Sequence, residues 1–192
     1  MSSTKGNVNK DDYYATPDWI VEEFLENFER RIHTTHHLSM SAMHVLDPSC
    51  GGCSEHKAAY PVAYKKLYHV DIDTMDIRED SHAQIIANYL ETDVQKNHYD
   101  MIMTNPPFSL SVDFAEKALS EIKNGGYVVM LQRLNWLGSI KRKPFWDTMP
   151  LRAVMVHHRR PSFHGTKGTD SIEYAHFVFQ KGYAGKAEII VI

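Results

Sequence analysis

The chain has 192 residues, of which 43% are hydrophobic and 23% are charged, and its formal net charge is −3. This size and composition are typical of one soluble domain with a substantial core. No apolar run approaches the length of a membrane span, no secretory leader is evident and two cysteines are too few for a disulfide scaffold, so we expect a cytoplasmic protein with no membrane partner.

The charges are unevenly distributed along the chain. Residues 133–181 contain nine Lys or Arg against three acidic residues, a net charge of +6, so the remainder carries −9. A basic carboxy-terminal third on an acidic body favours a polyanionic partner, most often a nucleic acid. Solvated loop charges would explain the same counts, so charge alone leaves both interpretations open.

Helix-like and strand-like patterns alternate along the chain. Residues 1–10 are predicted to be flexible, with Thr16 as the cap and Pro17 in the first turn of the first helix. The predicted elements are a helix from Pro17 to about Arg31, a strand at 44–48, a helix at 54–67 interrupted by a proline, strands at 70–77 and 100–104, a helix at 111–124, a strand at 127–132, and β-rich runs at 152–158, 173–179 and 187–192. This order predicts an α/β fold whose sheet is mostly parallel with an antiparallel carboxy-terminal edge.

Two loops at strand ends have the composition of a nucleotide site. In "VLDPSCGGC" the first strand ends at Asp47 and leads into a glycine pair that lets backbone approach a ligand closely. The second strand ends in acidic residues, and an acid in that position commonly binds ribose hydroxyls. Asp71 and Asp76 both fit, and we favour Asp76 because its segment leads into a turn.

The third loop, "TNPPF", begins at Thr104 and cannot continue a strand. Each proline lacks an N–H and fixes φ, so the backbone is rigid and its carbonyls stay available as acceptors. A rigid loop with an amide side chain, carbonyls and an aromatic ring suits a flat heterocycle that carries an amino group. The "NPPF" sequence at 105–108 resembles the catalytic motif of amino-directed S-adenosylmethionine-dependent methyltransferases, in which this form marks adenine-N6 enzymes most often.

Further segments carry the same resemblance over most of the chain. "YYATPDWIVEEFL", "VLDPSCGGC" and "ANYLETD" resemble the cofactor motifs of that family, and "RPSFHG" resembles a late motif whose aromatic residue faces the target base. The motif order is similar to that of small bacteriophage enzymes. The resemblance implies a Rossmann-like class I sheet with helices on both faces, formed by a single methyltransferase domain over 11–192 without a separate target-recognition domain.

The resemblance also implies roles for individual residues. The catalytic set is Asn105, Pro106, Pro107 and Phe108. The set that binds the cofactor S-adenosylmethionine is Tyr14, Thr16, Pro17, Asp47, Pro48, Ser49, Cys50, Gly51, Asp76, Asn88, Tyr89 and Asn105. The set that binds the DNA substrate is Phe108 and Phe163, which clamp the base, with Lys141, Arg142, Lys143, Arg159 and Arg160 on phosphates. No metal site is expected.

The implied reaction is methyl transfer to the N6 amine of adenine in DNA. The Asn105 side-chain oxygen and the Pro106 carbonyl would accept from the two amine hydrogens and stabilise the positive charge that develops on nitrogen. A paired base cannot reach such a site, so the substrate is expected to be single-stranded or flipped out of the duplex. The sequence leaves the recognition site and the oligomeric state open.

Several alternatives remain at this point. Cys53 stands where the family has a third glycine, and Asn88 stands where it usually has Asp, so a degenerate module that only binds is one alternative. For the substrate, the alternatives are adenine in RNA and glutamine in a protein. The "CGGC" sequence at 50–53 has the placement of a redox dithiol and, with His56, part of a zinc site, although no second pair has metal spacing.

Overall fold

The structure is a computed structural model that describes residues 15–35, 37–163 and 171–192. The predicted flexible segment 1–10 therefore lies outside the described residues. The helices of the described residues are α1 (Asp18–Arg31), α2 (Ala59–Tyr68), α3 (Ser111–Glu121) and α4 (Lys143–Thr148). The strands are β1 (Val45–Asp47), β2 (Asp73–Asp76), β3 (Ile85–Ile86), β4 (Met101–Thr104), β5 (Tyr127–Arg133), β6 (Leu151–Val156), β7 (Tyr174–Gln180) and β8 (Glu188–Val191).

One sheet contains all the described strands in the order β3-β2-β1-β4-β5-β7-β6-β8. The first five in that order pair in parallel, and β7 is antiparallel to both β5 and β6. The terminal edge strand β8 returns to a parallel pairing with β6. The predicted fold class, a mostly parallel α/β sheet with antiparallel pairing in its carboxy-terminal part, is confirmed.

Alternation along the strands builds a separate core on each face of the sheet. On one face, Met101 and Met103 of β4 join the core under α1 and α2. On the other face, Ile102 joins the core under α3 and α4. Because successive strand residues point to opposite faces, a strand buried on both sides is apolar along most of its length, as Met101, Ile102 and Met103 of β4 are.

The second helix and two short elements differ from the sequence prediction. α2 begins at Ala59, five residues later than predicted, and Pro61 lies in its first turn. A proline is tolerated there because the first N–H groups of a helix have no partner within the helix, so Pro61 does not interrupt α2. The six-residue α4 and the two-residue β3 were not predicted, since neither is long enough to show a period.

None of the helices in the described ranges has both the length and the apolar composition that crossing a bilayer requires. The helices are amphipathic elements that cover the sheet. α1 shows this clearly, because its buried residues are Ile20, Val21, Phe24, Leu25 and Phe28.

Phe24 tests how much of the stability comes from packing α1 on the sheet. Its side chain is fully buried, and its ring stacks on His176 with 4.1 Å between centroids. We expect Phe24→Ala to lower the free energy of unfolding by about 3–5 kcal/mol, measured by urea denaturation. The control is Glu26→Ala on the exposed side of the same helix, with an expected change within about 0.5 kcal/mol. Equal losses in the two variants would contradict this packing.

Candidate active site

Three loops converge where β2, β1 and β4 end. β1 pairs in parallel with both β2 and β4, so the carboxyl ends of these strands lie at one edge of the sheet. Ligands of open α/β sheets bind at this edge. The loops after the three strands begin at Ile77, Pro48 and Asn105 and form the walls of one pocket.

The glycine loop after β1 is closed by backbone hydrogen bonds. Gly51 and Gly52 have φ angles of 66° and 81°, in the left-handed region that favours glycine. A Cβ added at Gly52 would lie 2.7 Å from the ring of His82, so this position also needs glycine for space. His82 in turn donates its backbone N–H to the Gly51 carbonyl at 3.0 Å. The glycine pair is therefore required by the conformation of the loop as well as by any ligand.

Asp76 holds the glycine loop against the end of β2. Its carboxylate is 5% exposed and accepts from the backbone N–H of Gly51 at 2.8 Å and of Arg78 at 2.9 Å. Asp71, the alternative ribose ligand, lies before β2 and forms an exposed ion pair with Lys65 at 2.8 Å. Only Asp76 of the two lines the pocket.

Asn105 is held by a residue from the beginning of α1. Its Nδ2 donates to Thr16 Oγ1 at 3.0 Å, whereas its Oδ1 is buried and has no hydrogen-bond partner among the described residues. Buried polar oxygens are nearly always paired, so a buried acceptor without a donor at a pocket wall points to a ligand that donates. The predicted capping role of Thr16 was wrong: α1 has no side-chain cap, and the hydroxyl positions Asn105 instead.

Ser49 joins the glycine loop to the NPPF loop. Its Oγ lies 2.7 Å from Thr104 Oγ1 and donates to the Asn105 carbonyl at 3.2 Å. The hydroxyl thus fixes the distance between two loops that are 55 residues or more apart in sequence. A short polar side chain suits this role, because the loops approach too closely for a longer one.

Most of the predicted site residues described by the structure lie together around this pocket. It opens to solvent at the carboxyl ends of the strands. Its lining includes the predicted residues Thr16, Pro48, Ser49, Cys50, Gly51, Asp76, Asn88, Tyr89, Asn105, Pro106, Pro107 and Phe108. The prediction of where the site lies thus agrees with the geometry, while the role of each residue stays a prediction.

The other predicted cofactor residues lie elsewhere. Asp47 is fully buried and does not line the pocket; it accepts from the Ser49 N–H at 3.3 Å, beneath the glycine loop. Pro17 lines a neighbouring pocket that shares Thr16 and Lys57 with the first one. Tyr14 lies outside the described residues.

The two phenylalanines predicted to clamp the base both pack near Tyr174. The Phe108 ring is half-buried, 6.1 Å from the Tyr174 ring, and the Arg133 guanidinium lies 5.1 Å from its centroid. Phe163 is 7% exposed, lies 4.8 Å from Tyr174 and lines the neighbouring pocket together with Pro17. Phe163 is therefore a core residue in this structure, and its role as a clamp stays a prediction.

The predicted phosphate ligands lie in loops at the same edge but differ in their contacts. Arg142 donates to three backbone carbonyls, and Lys143 pairs with Asp147. Arg160 pairs with Glu173 at 2.6 Å, and the Arg159 guanidinium lies 4.1 Å from the centre of the Trp19 ring. Lys141 is exposed at the tip of its loop. Arg142 is thus mainly a structural residue, whereas the others can reach a polyanion from the surface.

A buried hydrogen-bonded chain that sequence reasoning missed ends at the pocket. The hydroxyl oxygen of Tyr60, a residue that lines the pocket, lies 2.9 Å from His176 Nε2. His176 Nδ1 lies 2.8 Å from His157 Nε2. His157 Nδ1 lies 2.8 Å from Glu23 Oε2. Burial lowers the pKa of both imidazoles and raises the pKa of the Tyr60 phenol, so all three are neutral near pH 7. No sequence pattern links these four residues, because they lie in four separate segments of the chain.

The two cysteines lie in different environments. Both are free thiols. Burial raises the pKa of Cys50, the reverse of what a reactive thiol needs, whereas hydrogen bonds with Glu55 and His56 lower the pKa of the partly exposed Cys53. Within the described residues, no group of three His, Cys, Asp or Glu side chains could hold a metal ion.

The comparisons with known proteins agree with this architecture. No family model matches the sequence, and no curated protein matches it. Solved structures do match: a proposed class I S-adenosylmethionine-dependent methyltransferase from Listeria monocytogenes has 15% identity and a TM-score of 0.63, over 93% of this chain and 65% of that one. A proposed RNA methyltransferase from Pyrococcus horikoshii has 14% identity and a TM-score of 0.65, over 94% and 93%.

A third match is the modification subunit of a proposed type I restriction enzyme from Vibrio vulnificus, with 15% identity and a TM-score of 0.63 over 91% of this chain and 45% of that one. The chain thus spans about two thirds of the Listeria protein and less than half of the Vibrio subunit. These likenesses show that the chain has the fold of the class I S-adenosylmethionine-dependent methyltransferases.

Asp47 gives this site a measurable pH dependence. Burial, and then the charge of Asp76, raises the pKa of Asp47 from 3.8 to about 7. Because the unfolded chain ionises near pH 4, the folded state loses stability through this group as the pH rises from about 4 through about 7. Asp47→Asn removes this effect, so the stability of the variant relative to wild type should improve by about 2–4 kcal/mol between pH 4.5 and pH 8.

The measurement is urea denaturation of both proteins across that pH range. His157 and His176 are present in both, so their titration cancels in the difference. A constant offset added to this pH dependence is compatible with the amide's extra hydrogens, but a difference that shows no pH dependence at all contradicts the raised pKa of Asp47.

Proposed function

We propose that this chain transfers a methyl group from S-adenosylmethionine to the N6 amine of adenine in DNA. The observation that carries the proposal is Asn105 Oδ1, a buried acceptor without a described partner, on a rigid Pro-Pro loop at the carboxyl end of β4. The likeness to the class I methyltransferase fold supports a cofactor pocket beside it. An amine that donates two hydrogens is the kind of ligand this wall accepts.

The residues around the pocket fit the cofactor. Asp76 can accept from ribose hydroxyls, since each carboxylate oxygen keeps a lone pair beyond its backbone bond. Ile77 and Phe114 supply apolar contact for a flat base, and Asn88 lies beside them. The Asn88 Oδ1 already accepts from the Leu90 N–H at 3.1 Å, which fixes the orientation of its amide. The Asn88 Nδ2 is a donor, whereas an aspartate carboxylate would only accept. A donor at this position suits a ring nitrogen of the cofactor's base better than the amine of that base.

The NPPF loop would supply two acceptors for the target amine. Bound in this pocket, S-adenosylmethionine provides an electrophilic methyl group on a sulfonium. Asn105 Oδ1 and the Pro106 carbonyl accept from the two amine hydrogens, which directs the nitrogen lone pair and stabilises its developing positive charge. Thr16 acts as a positioning residue, because its hydroxyl holds the Asn105 amide with the oxygen toward the pocket. The surplus proton leaves to water, so no strong base is required.

DNA is the substrate that the charge distribution and the neighbours support best. Lys141, Arg159 and Arg160 lie in loops at the same edge of the sheet as the pocket, which favours a polyanion over a protein glutamine. The Vibrio neighbour is a modification subunit of a proposed type I restriction enzyme, whereas the Pyrococcus neighbour is a proposed RNA methyltransferase. RNA adenine is therefore the alternative, and methyl transfer to matched DNA and RNA oligonucleotides distinguishes the two.

Substitution of Asn105 tests whether its side-chain oxygen accepts from the target amine. Asn105→Ala should reduce methyl transfer by about 10²–10³-fold, because it removes one acceptor that stabilises the transition state. S-Adenosylmethionine binding, measured by calorimetry, should change only severalfold. Thr16→Val is the matched variant: it keeps the Asn105 oxygen and removes the hydroxyl that orients it, so we expect a smaller loss. Wild-type turnover in Asn105→Ala would contradict the acceptor role.

Substitution of Asp76 tests whether its carboxylate binds the ribose of the cofactor. S-Adenosylmethionine or its demethylated product should raise the melting temperature by binding the native state. Asp76→Asn should reduce this shift while keeping an acceptor for the Gly51 N–H, so that the glycine loop still closes. Asp71→Asn, on an exposed acid outside the pocket, is the control and should keep the full shift. The opposite ranking would remove Asp76 from the cofactor site.

A further inference from the structure

Ile140 is the most exposed large hydrophobic side chain in the described part of the chain, at 96% exposure. It stands at the tip of the segment that follows β5, with Leu137 at 41% exposure nearby in sequence. A single exposed aliphatic residue is ordinary on a protein surface. The surroundings of Ile140 are not ordinary, because the loop that presents it is fixed and cationic.

Arg142 fixes the loop from within. Its guanidinium donates to the carbonyls of Trp136 at 2.8 Å, Gly138 at 2.8 Å and Asn135 at 3.2 Å. Trp136 itself is 5% exposed and packs edge-on against Phe177 at 5.0 Å. A loop tied to the core in this way keeps the Ile140 side chain in water instead of letting it fold back onto the protein.

The same loop adjoins the proposed base pocket. β5 pairs with β4, so the segment after Arg133 starts next to the NPPF loop, and the Arg133 guanidinium lies 5.1 Å from the Phe108 ring. Lys141 and Lys143 flank the tip and are exposed, although Lys143 also pairs with Asp147. A cationic loop with an apolar tip beside a base pocket matches a polyanion that has an apolar interior, which is the chemistry of a nucleic-acid duplex.

We propose that Ile140 is a wedge that enters the base stack of duplex DNA and fills the space left when the target adenine leaves it. Apolar side chains inserted between base steps unstack them and offset part of the cost of distorting the duplex. Extrusion of the target base is needed before chemistry on its amine. This inference rests on the proposed function, and it assigns Ile140 to opening the duplex rather than to the reaction.

The test compares two forms of one substrate. Unmethylated plasmid DNA is offered to the enzyme as duplex and as heat-denatured single strands, and labelled methyl transfer is measured. Ile140→Ala should lower kcat/KM on the duplex by roughly tenfold and leave the rate on single strands within about twofold, because single strands need no extrusion. Ile140→Met, which keeps a long apolar side chain, should restore most of the duplex activity.

Two control variants separate the wedge from other effects. Ile189→Ala removes an aliphatic side chain that is 75% exposed on the edge strand β8, and it should leave both activities unchanged. The double variant Lys141→Ala and Lys143→Ala should lower both activities and reduce the salt dependence of binding, because phosphate contacts serve duplex and single strand alike.

Permanganate oxidation of unpaired thymines gives a readout without turnover. Wild-type protein should expose thymines opposite extruded adenines, and Ile140→Ala should expose fewer at equal occupancy. Equal losses on duplex and single strands, or wild-type activity confined to single-stranded DNA, would overturn the wedge. Absence of methyl transfer to any form by the wild-type protein would instead overturn the proposed function.

Discussion

The parallel pairing of β1 with β2 on one side and with β4 on the other is the constraint on which the site depends. It places three strand ends side by side, so that Asp76, Ser49 and Asn105 meet although they lie far apart in sequence. Local hydrogen bonds then set the spacing, with the Ser49 hydroxyl joining two loops and the Asp76 carboxylate joining the third. Prolines in the NPPF loop and hydrogen bonds to Gly51 restrict these loops, so less conformational entropy remains to be lost when a ligand binds.

Much of this arrangement could be predicted from the sequence, because the informative signals are local. The fold class followed from the alternation of helical and strand-like periods and is confirmed. The NPPF loop followed from its prolines, which allow few backbone conformations. The glycine loop followed from the opposite property, because glycine reaches positive φ values that other residues rarely adopt.

The contacts that sequence reasoning missed join distant segments. Thr16 and Asn105 are 89 residues apart and Tyr60 and His176 are 116 apart, so no pattern within a window of sequence could pair them. Arg142 showed a different limit. Its charge predicted a phosphate contact, but its geometry ties a loop through three carbonyls. Charge counts also overstated the basic face, since Lys143 and Arg160 have acidic partners within the protein.

The buried chain from Glu23 to Tyr60 has a consequence for where its protons sit. An ionised carboxylate only accepts, and a neutral imidazole donates from one nitrogen and accepts at the other. Glu23 therefore takes the hydrogen of His157 Nδ1, His157 Nε2 takes that of His176 Nδ1, and His176 Nε2 takes that of the Tyr60 hydroxyl. The Glu23 carboxylate thus sets the tautomer of two buried rings and the direction in which the Tyr60 hydroxyl at the pocket wall donates its hydrogen. The four groups are ordered in one direction along the hydrogen-bonded chain from α1 to α2.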